Sequence, residues 1–87
     1  MDQESRRSIV FAIKKLIGMD PKDVILIRRS QWAVVELDRK RDVATILKQE
    51  VVFDPVKSTL IVFRHPSLRP SDERVFEIRN IKYKEDL

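Results

Sequence analysis

The chain has 87 residues, of which 43% are hydrophobic and 37% charged, and 18 Lys and Arg against 14 Asp and Glu give it a formal net charge of +4. Its length allows one domain, residues 1–87, with a small core, and its apolar content excludes a disordered chain. The lack of cysteine excludes disulfides and thiolate metal sites, and a single histidine excludes sites that need two. Without a membrane-length apolar run or a signal peptide, we expect an intracellular, cytoplasmic protein with no membrane partner.

The first half of the chain predicts a helix followed by two strands. Apolar residues recur at helical spacing over residues 3–17, and Gly18 stands where a helix ends. The stripe comprises Ile9, Ala12, Ile13, Leu16 and Ile17. Runs rich in β-branched residues at 24–27 and 32–37 predict two strands joined by a tight hairpin.

The second half predicts another helix and further strands. Asp38 is a suitable N-cap for a helix over residues 39–49, because its short side chain can accept a backbone hydrogen bond. Its narrow apolar stripe comprises Val43, Ala44, Ile46 and Leu47. Residues 51–53 are expected to be extended, and a turn containing Pro55 separates them from a strand over residues 58–64.

The tail over residues 74–84 has β-branched and aromatic residues that favour a strand, with a helix capped by Ser71 as the alternative. The element order is then α-β-β-α-β-β plus a C-terminal strand. Two helices on an antiparallel sheet make an α+β fold, a two-layer sandwich.

The stretch from Gln31 to Leu37 runs into a charged turn and the predicted second helix. On this pattern, residues 8–64 resemble the RNA-recognition motif without its first strand. Trp32 matches the first aromatic position of that family's third-strand pattern and Ala33 matches the small residue, and a charged turn and a helix follow. Val34 and Leu37 stand at aromatic positions, and Gln31 replaces a glycine. The resemblance implies a ferredoxin-like sheet and RNA binding.

The missing first strand of that family normally carries a second stacking aromatic. The segment Val75-Phe76-Glu77-Ile78 would fill its central place, as in a circular permutation, and would run antiparallel beside residues 58–64. Glu77 departs from the pattern, because it stands where the family has an apolar core residue.

Trp32 is the first candidate binding residue. If Ala33 and Val35 face the core, Trp32 lies on the opposite face of the sheet, where Arg28 and Arg29 could flank it as a platform for stacking a base. The alternative is that Trp32 packs under the tail or in a dimer interface.

Phe11 lies opposite the apolar stripe of the first helix, among Arg7, Lys14 and Lys15. An exposed aromatic side chain among cations is typical of a contact surface for a protein partner or a nucleic acid. The alternative is that it packs against the second helix or the tail.

Arg39, Lys40 and Arg41 open the second helix, where cations oppose the helix dipole and could hold a phosphate. The alternative is a solvated charged face.

No enzyme chemistry or cofactor is expected. One glycine cannot form a phosphate-binding loop, and one histidine among scattered serines forms no triad. Asp20 at a helix end gives a weak similarity to LAGLIDADG nucleases, but the helix lacks the small residues of that fold.

Two functions remain. The first is a small basic nucleic-acid-binding module that prefers RNA or single strands, consistent with a pI near 9.7. The second is a protein–protein interaction or homo-oligomerisation domain that uses the Phe11 helix face. The abundance of Ile, Val, Arg, Lys and Glu is typical of heat-adapted chains.

Overall fold

A computed structural model describes residues 3–27, 31–55, 58–67 and 71–82, and for residues 3–5 and 81–82 the backbone alone. In chain order the elements are α1 Gln3–Ile17, β1 Asp23–Leu26, β2 Ala33–Glu36, α2 Lys40–Gln49, β3 Val51–Asp54, β4 Thr59–Arg64 and β5 Val75–Lys82. The predicted α+β architecture is therefore confirmed, and the tail forms a strand rather than a helix.

The five strands form one antiparallel sheet in the order β1-β2-β5-β4-β3. Ile78 of β5 lies between Ala33 of β2 and Phe63 of β4. The last strand in the chain thus occupies the middle of the sheet, antiparallel to β4 as predicted. The short strands β1 and β3 form the two edges.

Both helices contribute to a core on one face of the sheet. The α1 stripe is confirmed, because Ile9 and Ile13 are buried and its other three members pack against the buried cluster. Burying one isoleucine side chain contributes about 1.5–3 kcal/mol. The buried cluster comprises Ile9, Ile13, Val24, Ala33, Val35, Leu37, Val43, Ile46, Ile61, Phe63, Phe76 and Ile78. Over the ranges described above, neither helix combines the length and apolar character needed to cross a membrane.

The sequence predicts the C-terminal end of α1 correctly but not the N-cap of α2. Gly18 ends α1 with φ +76°, and its N–H donates to the Lys14 carbonyl. The prediction that Asp38 caps α2 is wrong. The N-cap is Arg39, which has an extended backbone and makes no side-chain cap hydrogen bond. Asp38 stands one residue too early to serve as N-cap and is exposed.

The prediction that Ala44 belongs to the α2 stripe is wrong, because Ala44 is exposed. Val43, Ile46 and Leu47 already define one face of the helix at three- and four-residue spacing. Ala44 lies about 110° from the centre of that face, since each residue turns the helix by about 100°.

Candidate interaction site

Trp32 lies beside the face of the sheet that points away from the helices. The predicted alternation is confirmed, because Ala33 and Val35 belong to the core while Val34 faces the other way. Trp32 itself is half-buried. The guanidinium carbon of Arg64 lies 3.8 Å from the centre of its ring, a cation–π contact that covers one face of the indole.

Glu77 is buried on the same face, with 2% of its side chain exposed, between Val34 of β2 and Arg64 of β4. Its carboxylate accepts hydrogen bonds from Arg64 Nε at 2.6 Å, from Ser67 Oγ at 2.8 Å and from the Ser67 backbone N–H at 3.0 Å. These three donors therefore all stabilise the charged form of the acid.

The surroundings of Glu77 act on its pKa in opposite directions. Burial raises the pKa, whereas the hydrogen bonds from Arg64 and Ser67 and the positive charge of Arg64 lower it. The net result is a pKa below its ordinary value of 4.5. The acid is therefore ionised at neutral pH and holds Arg64 over Trp32.

This arrangement changes the role expected for Trp32. A base would have to displace Arg64, which is paired with Glu77, before stacking on the covered face of the ring. Arg28 and Arg29, the proposed neighbours of Trp32, lie outside the described residues. One sequence signal pointed to the network, because Glu77 is an acid inside a run of β-branched and aromatic residues.

Two of the three cations at the start of α2 are paired with acids. Arg39 Nε donates to Asp42 at 2.7 Å, and Lys40 Nζ lies 3.5 Å from Glu73. Arg41 is exposed in the first turn of the helix. A polar depression beside this helix end is lined by Asp38, Lys40, Ser71, Asp72, Glu73 and Arg74. These carboxylates offset the positive charge that a phosphate would need here.

Phe11 is exposed on α1, with 71% of its surface accessible. Most of its surface is therefore left uncovered by α2 and by the other side chains that the structure describes. Arg7, Lys14 and Lys15 are exposed on the same helix. Among the side chains that the structure describes, these three cations have no carboxylate within 4 Å.

Phe11 borders an apolar groove of about 670 Å³ between α1 and the β3 edge of the sheet, which we call the α1–β3 groove. Its helix wall comprises Arg7, Ser8, Phe11, Ala12, Lys15 and Leu16. Its sheet wall comprises Val52, Phe53, Asp54, Pro55 and Ile61. Phe53 is 51% exposed, so two phenylalanines of distant sequence positions line the opening.

The structure thus brings together only part of the predicted site. Phe11, Arg7 and Lys15 share the groove, and Lys14 lies next to Lys15 on α1. Trp32 and the cations of α2 line neither wall of it. Phe53 was not anticipated, since only the folded sheet shows that its strand is an edge. In the described part of the chain, no three potential metal-ligating side chains cluster.

Comparisons with protein-family models, with curated proteins and with solved structures found no match to this chain. The function of this chain is therefore inferred from the geometry of the α1–β3 groove and of the Trp32–Arg64–Glu77 network.

Proposed function

We propose that this domain is a non-enzymatic protein-interaction module that binds a partner in the α1–β3 groove. The observation that carries the proposal is Phe11, exposed to 71% at the mouth of an apolar groove. Fully burying a phenylalanine stabilises a complex or a fold by about 1.5–3 kcal/mol. An isolated domain forgoes that contribution at Phe11, and a bound partner would recover it.

The composition of the groove supports this function. Interface cores are enriched in aromatic residues and depleted of charge, and they are rimmed by polar groups. Phe11 and Phe53 supply the aromatic centre, and Arg7 and Lys15 supply a charged rim. By contrast, the polar side chains of Arg64, Glu77 and Ser67 on the other side of the sheet are already paired with one another.

We also infer a ferredoxin-like arrangement in permuted form. The order β1-β2-β5-β4 places the last strand between β2 and β4, which is the central place that the resemblance to the RNA-recognition motif assigns to that family's first strand. The strand β3 then extends the sheet at one edge, and it forms one wall of the groove.

A second candidate function is nucleic-acid binding, with RNA or single strands preferred. It is supported by the exposed cations Arg7, Lys14 and Lys15, which the described carboxylates leave unpaired, and by the net charge of +4. In that case binding would use phosphate contacts on α1 and would weaken steeply with salt.

Selection from a random-peptide display library tests the interaction function without assuming a partner. We expect the full chain to enrich peptides that no longer bind Phe11→Ser. Ile25→Ser, which changes an exposed apolar residue of β1 outside the groove, is the matched control and should retain binding.

Enrichment that is insensitive to Phe11→Ser would contradict the proposed function. The nucleic-acid alternative would instead be supported by binding of a mixed-sequence single-stranded RNA that falls with salt and is lost when Arg7, Lys14 and Lys15 are changed to Glu.

A further inference from the structure

We propose that the occupant of the α1–β3 groove is an amphipathic helix of a partner protein whose apolar face is flanked by Asp or Glu. This inference rests on the proposed interaction function and adds the chemistry of the partner. Three features of the groove carry it: the spacing of its rim cations, the small residues of its helix wall and its apolar floor.

The rim of the groove is a row of side chains on α1. Arg7, Phe11 and Lys15 follow one another at intervals of four residues, so they lie on one side of the helix. The two cations are about 12 Å apart along the axis, given a rise of 1.5 Å per residue. Phe11 stands between them, with a positive charge on either side.

The inner row of the helix wall follows one residue later. Ser8 and Ala12 are small, so a partner can approach the α1 backbone closely at these two positions. Val52 and the buried Ile61 continue the apolar surface on the sheet side. An inserted side chain would therefore contact apolar groups on both walls.

A partner helix satisfies this pattern. Helices that bind in grooves use apolar residues at positions i, i+3, i+4 and i+7 as anchors, which would cover Phe11 and enter between α1 and β3. Acids about eight residues apart on such a helix are separated by about 12 Å and would meet Arg7 and Lys15. The two cations of the helix wall outnumber the one acid of the sheet wall, Asp54, so the charge of the groove favours an acidic partner.

The same charge disfavours a second copy of this chain. The protein carries a net charge of +4, and a symmetric dimer through the groove would bring the cations of two α1 helices together. A nucleic acid would satisfy the cations but would place its phosphates against an apolar surface. A protein helix meets both requirements.

The experiment uses synthetic helical peptides of about 16 residues, which span about four turns. One peptide carries Leu anchors flanked by Glu, a second replaces every Glu by Lys, and a third keeps the acidic composition but has a central Pro. Fluorescence anisotropy of labelled peptide measures binding to the full chain. We expect the acidic helix to bind at least about tenfold more tightly than either of the others.

Charge reversal at the rim is the decisive variant. The double substitution Arg7→Glu and Lys15→Glu should reverse the preference, so that the Lys peptide binds better than the Glu peptide. Arg41→Glu with Lys48→Glu makes the same change in net charge on α2, outside the groove, and should keep the original preference.

The possible failures are distinguishable. Equal binding of the Glu and Lys peptides that still depends on Phe11 would overturn the acidic partner and leave the interaction function standing. Equal binding of the Pro peptide would overturn the helix. If the peptides do not bind and single-stranded RNA binds through Arg7 and Lys15, the occupant is a nucleic acid and the inference is wrong. If the display library also yields no Phe11-dependent peptide, the interaction function fails with it.

Discussion

Arg64 lies over the ring of Trp32, with its guanidinium carbon 3.8 Å from the ring centre. Its Nε simultaneously donates to the buried carboxylate of Glu77. One side chain of β4 therefore joins the end of the β1–β2 connection to the central strand, and Ser67 ties the loop after β4 to the same carboxylate. This network covers one face of the Trp32 indole.

Removal of Arg64 should destabilise the fold. In Arg64→Ala the Glu77 carboxylate stays buried without its cation. The Arg64 side chain is 45% exposed in the native protein, so it loses little of its own solvation on folding. We expect a loss of about 3 kcal/mol in the free energy of unfolding, near the low end for a broken buried pair. Urea unfolding measures it. Arg74→Ala removes a more exposed ion pair with Asp72 and should cost less than about 1 kcal/mol. Equal losses of unfolding free energy in the two variants would contradict a stabilising Arg64–Glu77 pair.

The lowered pKa of Glu77 predicts how stability depends on pH. Because the folded-state pKa lies below 4.5, ionised Glu77 stabilises the fold at pH values above about 4.5, and that contribution is lost as the pH falls through the folded-state pKa. The difference in unfolding free energy between wild type and Glu77→Gln should be constant from about pH 5 to 8 within the precision of urea titrations. It should shrink below pH 4.5. The same substitution at exposed Glu73 measures the background. A stability difference between wild type and Glu77→Gln that grows as the pH falls would mean that folding raises the pKa of Glu77 rather than lowering it.

Glu50 is held in a strained backbone conformation between α2 and β3. Its φ of 56° and ψ of −59° are costly for a residue with a Cβ atom, and its carbonyl accepts the Phe63 N–H. Glu50→Gly should therefore stabilise the protein by about 1 kcal/mol, because glycine tolerates positive φ. Glu50→Ala keeps the Cβ atom and should bring no gain. Thermal unfolding that ranks the alanine variant above the glycine variant would contradict this explanation.

The sequence predicted the elements well where local patterns dominate. The α1 helix ends as expected because an apolar stripe and Gly18 act over neighbouring residues. The prediction of an Asp38 cap was wrong because the choice of N-cap depends on where the chain leaves β2. That point is fixed by a hydrogen bond from the Leu37 N–H to the carbonyl of Arg74, which is far along the chain. Local patterns contain no information about that contact.

The proposed binding surface was only partly predictable for the same reason. The helical spacing placed Phe11 outside the core, and its exposure confirms this. The groove needs Phe53 on the β3 edge strand, which follows from the strand order rather than from any motif. The contact of Arg64 with Trp32 also joins residues that are far apart in the chain. The alternation of side chains along β2 therefore predicts which face of the sheet Trp32 lies on, but not which residue covers its ring.

Phe11 should contribute little to the stability of the isolated domain. Phe11→Ser removes a side chain that is 71% exposed, and serine and phenylalanine have similar helix propensities, so the free energy of unfolding should change by less than about 0.5 kcal/mol. Ile13→Ala, two residues away and fully buried, should cost about 2–5 kcal/mol. Urea unfolding of both variants checks the contrast, and a large loss for Phe11→Ser would mean that the residue belongs to the fold.

Binding in the α1–β3 groove can be tested by an amide chemical-shift titration of the isotope-labelled full chain. The acidic helical peptide is added first, and single-stranded RNA is added in a second titration. The account predicts that the peptide shifts the amides of Phe11, Ala12, Leu16, Val52 and Phe53 in the α1–β3 groove and leaves the Trp32 indole N–H unchanged. Shifts centred on Trp32 and Glu77, or a response to RNA and none to the peptide, would contradict a protein-binding groove and move the interaction surface to the opposite face of the sheet or to a nucleic acid.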